Sequence, residues 1–427
     1  MYNVKQDFSI PLFTNYKENQ KIMKRTTKTV KAIAFTIVLA MLMATLAFTL
    51  SGCSSSKVVA TFAADNGKTY TATSGFFKFM MTYSKQQFYT QYGLNSSVES
   101  TIWDTKTDDD ITYDKLYTDR VTTQVKSILI EQYLFDKYNL SISDETIASH
   151  KKTVETAKKN QGGAGAFKQY YGYTADELYD YLIMVEKSKA IVEHLYGENG
   201  IDPVTDEELE KYYTENYVGY MYIMLDMKNK VKVDGDGNRV VKTTTDKDGK
   251  VTEQEAFETE KLTEEEAEEK GLLAAKIIKE LDGGADFADL VKKHSDDFYS
   301  IKYPHGVFVL KDSDLVNGAS NINEAIKKLE VGEHTEALST GDTNDYTYIV
   351  KRIDLLDKVY ENEEYKDLFS SYKDDVKYDK YDGVVEAYDA SVTVDSDAIS
   401  GFSMKKTFLS SYVDYYYYYN RYGSSIS

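Results

Sequence analysis

Three observations predict an α+β fold for this chain of 427 residues. Apolar residues recur at three- and four-residue steps through most of 74–217, short alternating strands mix with helices over 218–357, and a helical pattern returns over 360–389. The reading is a helical module made from both ends of the chain, with a smaller α+β domain inserted between them.

The elements follow in order. Residues 57–63 (KVVATFA) read as a strand, and 74–92 as an amphipathic helix rich in aromatics. A longer helix is expected over 108–138, where Ile111, Leu116, Val121, Val125, Ile128, Leu129 and Leu134 keep helical spacing. Ser143 begins the next helix, which Gly162-Gly163-Ala164-Gly165 should break. Thr174 with Glu177, and Thr205 with Glu208, form capping boxes that start helices reaching Leu195 and Asn216. After Val218 the period changes. Residues 220–225 are a strand, and 226–262 a polar arm whose Asp-Gly turns suggest a β-hairpin. Helices at 263–282 and 285–293, a strand at 306–310, a helix at 321–329 and a strand at 345–353 complete the inserted unit. Val392-Thr393-Val394 forms a last strand, and 400–427 is a low-complexity tail with five consecutive tyrosines, 415–419.

Composition excludes several kinds of chemistry. The 70 acidic residues against 51 basic ones give a net charge of −19, which disfavours phosphate backbones, so no nucleic acid partner is expected. One cysteine allows no internal disulfide, and five scattered histidines show no metal-ligand spacing. No phosphate-binding glycine loop and no GxSxG elbow is present, so no cofactor and no metal is expected.

The cysteine has a position of its own. Lys21, Lys24, Arg25, Lys28 and Lys31 precede the apolar stretch 32–50, in the manner of an export signal. Leu50-Ser51-Gly52-Cys53 then matches the lipobox of bacterial lipoproteins, where small residues admit the peptidase and the thiol takes the lipid. Residues 1–52 are accordingly the expected signal peptide and Cys53 the lipidation site. An uncleaved anchor is the alternative, since the apolar stretch is long enough to span a bilayer. Cleavage removes seven basic and two acidic side chains, leaving 44 basic and 68 acidic residues and a net charge of −24.

This order of lipobox, helical segment, α+β segment and returning helix resembles the secreted foldases of the PrsA/SurA type. Local motifs agree: Val204 to Leu209 with Tyr212-Tyr213, then Gly283 to Leu290 with Ser295-Asp296-Asp297, then Ala325 to Leu329 with Val331-Gly332-Glu333. The resemblance implies a helical chaperone domain over 53–217, a parvulin-like domain over 218–357 carrying the arm 226–262 as an insertion, a helix and strand returning to the chaperone module over 358–399, and the tail 400–427. It also implies binding of unfolded or partly folded secreted proteins at the extracytoplasmic face of a cell membrane. A homodimer is left open.

Active parvulins place two histidines face to face on adjacent strands beside a pocket for the prolyl ring. By the same resemblance, Tyr222 and Tyr348 stand where those histidines would be, Asp297 at a cysteine-or-aspartate position, and Thr340 at a hydroxyl position. Ile322, Phe308 and Met224 fall where the substrate pocket would lie. Amide rotation has a barrier of roughly 20 kcal/mol and no covalent step, so catalysis needs a desolvated pocket more than a nucleophile. Tyrosines supply hydroxyls but not imidazole tautomers. The expectation is therefore a foldase whose parvulin-like domain serves as a client platform, with an active peptidyl-prolyl isomerase as the alternative. A surface adhesion lipoprotein, working through its tyrosine tail and acidic arm, is the second alternative. Asp234, Asp236 and Asn238 imitate the start of a calcium loop, but Arg239 and Thr245 occupy the positions that should be glycine and glutamate, so a turn is expected.

Overall fold

The computed structural model describes residues 49–50, 57–107, 110–245, 251–311, 313–316, 319–340 and 345–422. Cys53 and the predicted signal before it, Thr49–Leu50 apart, lie outside the described residues. The fold is α+β, as the sequence predicts, and its described residues divide into two compact units: Thr205–Tyr372, and those before Thr205 joined by those from Lys373 onward.

The second of these is helical around a small sheet. Its strands run in the order Thr49–Leu50, Thr69–Thr73, Val58–Ala63, Val392–Val394. Thr73 ends one strand and caps the helix Ser74–Gln91 by accepting from the Phe76 N–H. Long helices follow at Tyr113–Lys137, Asp144–Asn160 and Ala175–Tyr196, the last opened by the Thr174/Glu177 capping box. Phe76, Phe77, Phe79, Tyr83, Phe88 and Tyr89 of the first helix are all buried, so its aromatic face is core, and of the aromatics from Phe76 to Tyr92 only Tyr92 is exposed.

Two helix starts differ from the sequence expectation, and two helices are added to it. The 108–138 helix begins at Tyr113, after an N-cap at Thr112. The glycines at 162–165 end the Asp144–Asn160 helix as expected, and a further helix, Ala164–Tyr171, starts within them. It ends at Gly172, whose left-handed φ of +85° suits glycine, and where a Cβ would meet the Phe408 ring at 2.3 Å. The 360–389 helix runs only over Tyr372–Asp389, behind two single 3₁₀ turns. The low-complexity tail carries a helix, Tyr412–Tyr422; Met404 and Val413 are buried, and Asp414 accepts from the backbone and hydroxyl of Ser96.

A buried lysine secures that tail. Lys85 is 0% exposed and donates to the carbonyls of Met404 and Thr407, each at 2.8 Å, while pairing with Glu99. Burial pulls its pKa down, against the opposing hydrogen bond from Glu99. Glu99 also accepts from Tyr89 and from the Trp103 indole, so one carboxylate ties three side chains together.

The unit Thr205–Tyr372 has an antiparallel sheet in the order Leu338–Ser339, Tyr346–Ile353, Tyr217–Asp226, Val307–Leu310. Side chains alternate across it. On one face Ile223, Leu225 and Ile349 pack against Ala274 and Ile277 of the helix Glu264–Asp282 and against Phe287, Leu290 and Val291 of the helix Phe287–His294. Burial of this apolar set holds the sheet in register, since a slip of one residue would turn it to solvent. The arm forms two antiparallel ladders, Asn229–Val231 with Thr259–Lys261 and Val241–Thr245 with Val251–Phe257. Asp234 accepts from the backbone of Asp236 and Asn238, a tight turn at the would-be calcium loop.

Candidate functional site

The site is built on the other face of the same sheet. Because Ile223 and Leu225 point to the helices, Tyr222, Met224 and Asp226 point away from them. Tyr348 is opposite Met224 in the neighbouring strand, which brings it to that face as well. Tyr222, Met224 and Tyr348 are each half-buried. Their rings make the wall: the Tyr222 and Tyr348 centroids are 6.2 Å apart and tilted by 37°.

Asp297 arrives from the connection between two helices. Ser295 is fully buried, accepts from the Met224 N–H at 3.1 Å and lies 2.7 Å from the Ser300 hydroxyl. Asp296 donates its backbone N–H to the Met224 carbonyl, and its carboxylate accepts from the Asp226 N–H and pairs with Lys270 at 2.6 Å. Burial raises the Asp296 pKa, and Lys270 opposes it. The segment Ser295 to Asp297 is thus pinned along the strand. That leaves Asp297 to cap the short helix Phe298–Lys302, where its Oδ2 accepts from the Ser300 N–H at 2.8 Å and from the Tyr222 hydroxyl at 2.6 Å. Burial first, and the nearby Asp297 charge second, hold the Tyr222 phenol well above its ordinary pKa. The same two causes push Tyr348 up to about 12. Both phenols therefore stay protonated in any physiological solution.

The structure brings Tyr222, Tyr348, Asp297 and Met224 together, and leaves the other expected residues apart. Phe308 pairs across the sheet with Gly219, which shares the Ile223 face; its ring sits 5.6 Å from Tyr365 and 6.3 Å from Tyr213. The period of two places it on the far side of the sheet from Tyr222. Ile322 is completely buried and offers no surface to a substrate. Thr340 closes the hairpin before Tyr346, its hydroxyl accepting from the Tyr346 N–H at 3.1 Å. It is an end-of-strand clasp, with no bond to Asp297 or Tyr222 among the described residues.

Four further residues, Ser295, Phe298, Tyr299 and Arg239, shape the site, though none was expected among the site residues. Ser295 positions Asp297, as described above. Tyr299, next to the cap, bonds Glu255 of the arm, and Phe298 packs against Phe257 at 5.4 Å. Arg239 donates from the arm to the carbonyls of Lys292 and Ser295, at 2.9 and 3.1 Å. A lone arginine just beyond an Asp-Gly-Asp-Gly-Asn tip was the one available signal that the arm folds back. Among the described residues no group of histidine, cysteine or carboxylate side chains could hold a metal ion, and no helix is long and apolar enough to cross a membrane.

No protein-family model matches the sequence, and no curated protein matches it. Among solved structures the chain is similar to PrsA from Bacillus subtilis, at 20% identity over 71% of this chain and 92% of that one, with a TM-score of 0.21. It is similar also to the foldase protein PrsA from Streptococcus pneumoniae, at 17% identity over 70% of this chain and 96% of that one (TM-score 0.25). A third is the foldase protein PrsA from Lactococcus lactis, at 16% identity over 65% and 86% of the two chains (TM-score 0.25).

Proposed function

We propose that this chain is an extracytoplasmic foldase, lipid-anchored at Cys53, that holds unfolded or partly folded secreted proteins, and that its parvulin-like domain binds clients without isomerising prolyl bonds. The observation that carries the second half is the Tyr222 hydroxyl bonded at 2.6 Å to Asp297. At the positions where the resemblance would put an imidazole pair, one phenol is already committed to the acid and the other leans against it. Neither phenol is available as a titrating group near neutral pH. Ile322 and Phe308, which should have walled a prolyl pocket, are buried elsewhere. What is left is a half-exposed aromatic strip with a methionine, suited to adaptable contact with extended chain. The lipobox supports the anchor.

The test is suppression of aggregation of a chemically unfolded client by the purified chain. Protection that scales with stoichiometry is expected, and none at any ratio would overturn the holding role. Cys53→Ala should release the chain from the membrane fraction; unchanged retention would favour an uncleaved anchor. A surface adhesion lipoprotein is the second reading, favoured by the exposed rings of Tyr415, Tyr418 and Tyr419. It predicts no protection of clients.

A further inference from the structure

We propose that the face formed by Tyr222, Tyr348 and Asp297 selects client segments that carry lysine or arginine, the cation lying against the two phenol rings with its charge beside the Asp297 carboxylate. This rests on the reading of the chain as a client-holding foldase, and adds the chemical class of the segment held.

The carboxylates around this end of the sheet are not alike. Asp296 is paired with Lys270, Asp345 with Lys228, and Asp226 accepts from the backbone of Lys228 and Asn229. Asp297 has only neutral donors on its Oδ2, the Tyr222 hydroxyl and the Ser300 N–H, and no cation pairs with it among the described residues. Its charge reaches both rings, since it adds to burial in raising the Tyr222 and Tyr348 phenols. A carboxylate half-withdrawn from water, without a counter-charge, costs free energy that a bound cation recovers and an apolar segment does not. An acidic segment would be repelled.

The rings supply the second element of recognition. Aromatic faces carry negative quadrupole density and attract ammonium and guanidinium groups, and here two half-exposed rings stand 6.2 Å apart beside the carboxylate. A long lysine or arginine stem can lie along such rings while its head reaches the acid. The net charge of −19 supplies the long-range attraction, but a field has no address. Asp297 and the two rings provide one.

The experiment uses fluorescence anisotropy with the full chain and three fluorescein-labelled unstructured peptides of equal length, bearing lysine, glutamine or glutamate at the same positions. The lysine peptide should bind about tenfold more tightly than the glutamine peptide at low salt, from one partly desolvated cation–π and ion-pair contact. Asp297→Asn keeps an N-cap for helix Phe298–Lys302 and should bring that ratio close to one. Tyr348→Leu, away from the cap, should weaken the lysine peptide about threefold and leave the glutamine peptide unchanged. A lysine preference that survives both substitutions, or none in the unaltered chain, overturns the inference. Aggregation suppression without a lysine preference would remove this inference and leave the foldase reading standing. An Asp297-dependent preference in a chain that protects no client would do the reverse.

Discussion

At the scale of single residues, the account turns on one hydrogen bond. Tyr222 and Tyr348 could be placed from sequence because the resemblance lays them at facing positions of two strands, and Asp297 because the same resemblance includes its Ser-x-Asp segment. Phe308 and Ile322 could not. Which face a strand residue occupies depends on register to a single position, and the register of Val307–Leu310 is set by its pairing with Tyr217–Tyr220 rather than by local pattern. Whether a helix residue lines a pocket or fills the core is likewise a matter of tertiary packing. The Tyr222–Asp297 bond should also stabilise its strand, because a hydroxyl bonded to a carboxylate contributes more than a neutral pair. Tyr222→Phe is expected to lower the free energy of opening of Tyr217–Asp226 by about 2 kcal/mol, read as faster amide hydrogen exchange there. Exchange rates unchanged in the variant would mean that the bond contributes nothing to holding the strand.

At the scale of elements, the capping boxes were the most legible features. Thr174 and Thr205 each accept from the third residue of the helix they open, and Glu177 and Glu208 reach back, as their spacing in sequence requires; Thr263 and Glu266 form a third such box that was not read from sequence. The Ala164–Tyr171 helix and the Tyr412–Tyr422 helix were hidden for different reasons. Glycines mask the first, and the second is fixed by partners more than 300 positions away, such as Ser96 for Asp414. The arm also acts through its contacts. Arg239 covers the carbonyl end of helix Phe287–His294, where the buried Nε2 of His294 has no hydrogen-bond partner among the described residues. Burial, then the positive charge of Lys293, hold the His294 pKa below its usual value, with Lys276 and Arg239 acting the same way and Glu280 against them. A base whose folded pKa is depressed contributes stability that is complete above its unfolded value of about 6.5 and is lost as pH falls below it. Acidification from neutral pH should therefore lower the amide protection factors of this helix, taken relative to the intrinsic exchange rate at each pH, and His294→Gln should remove that pH dependence. An identical acid response in the variant would assign it to other groups.

At the scale of the whole molecule, the chain leaves the helical unit after Val204 and re-enters it at Lys373, so both units depend on a single continuous backbone for their order. Charge, the lone cysteine and the excess of tyrosine, 38 in all, were visible from the start. Their meaning was not. Most of the aromatics of Ser74–Gln91 serve the core, and the two that decide the chemistry were distinguished by their neighbours in the sheet. In the proposed function the unit Thr205–Tyr372 binds clients without catalysing rotation about prolyl bonds. The most direct test is protease-coupled cis/trans isomerisation of a prolyl peptide by the full chain. The account predicts a rate no faster than the uncatalysed background, in the same preparation that suppresses client aggregation. Catalysis above background that disappears in Asp297→Ala would contradict it.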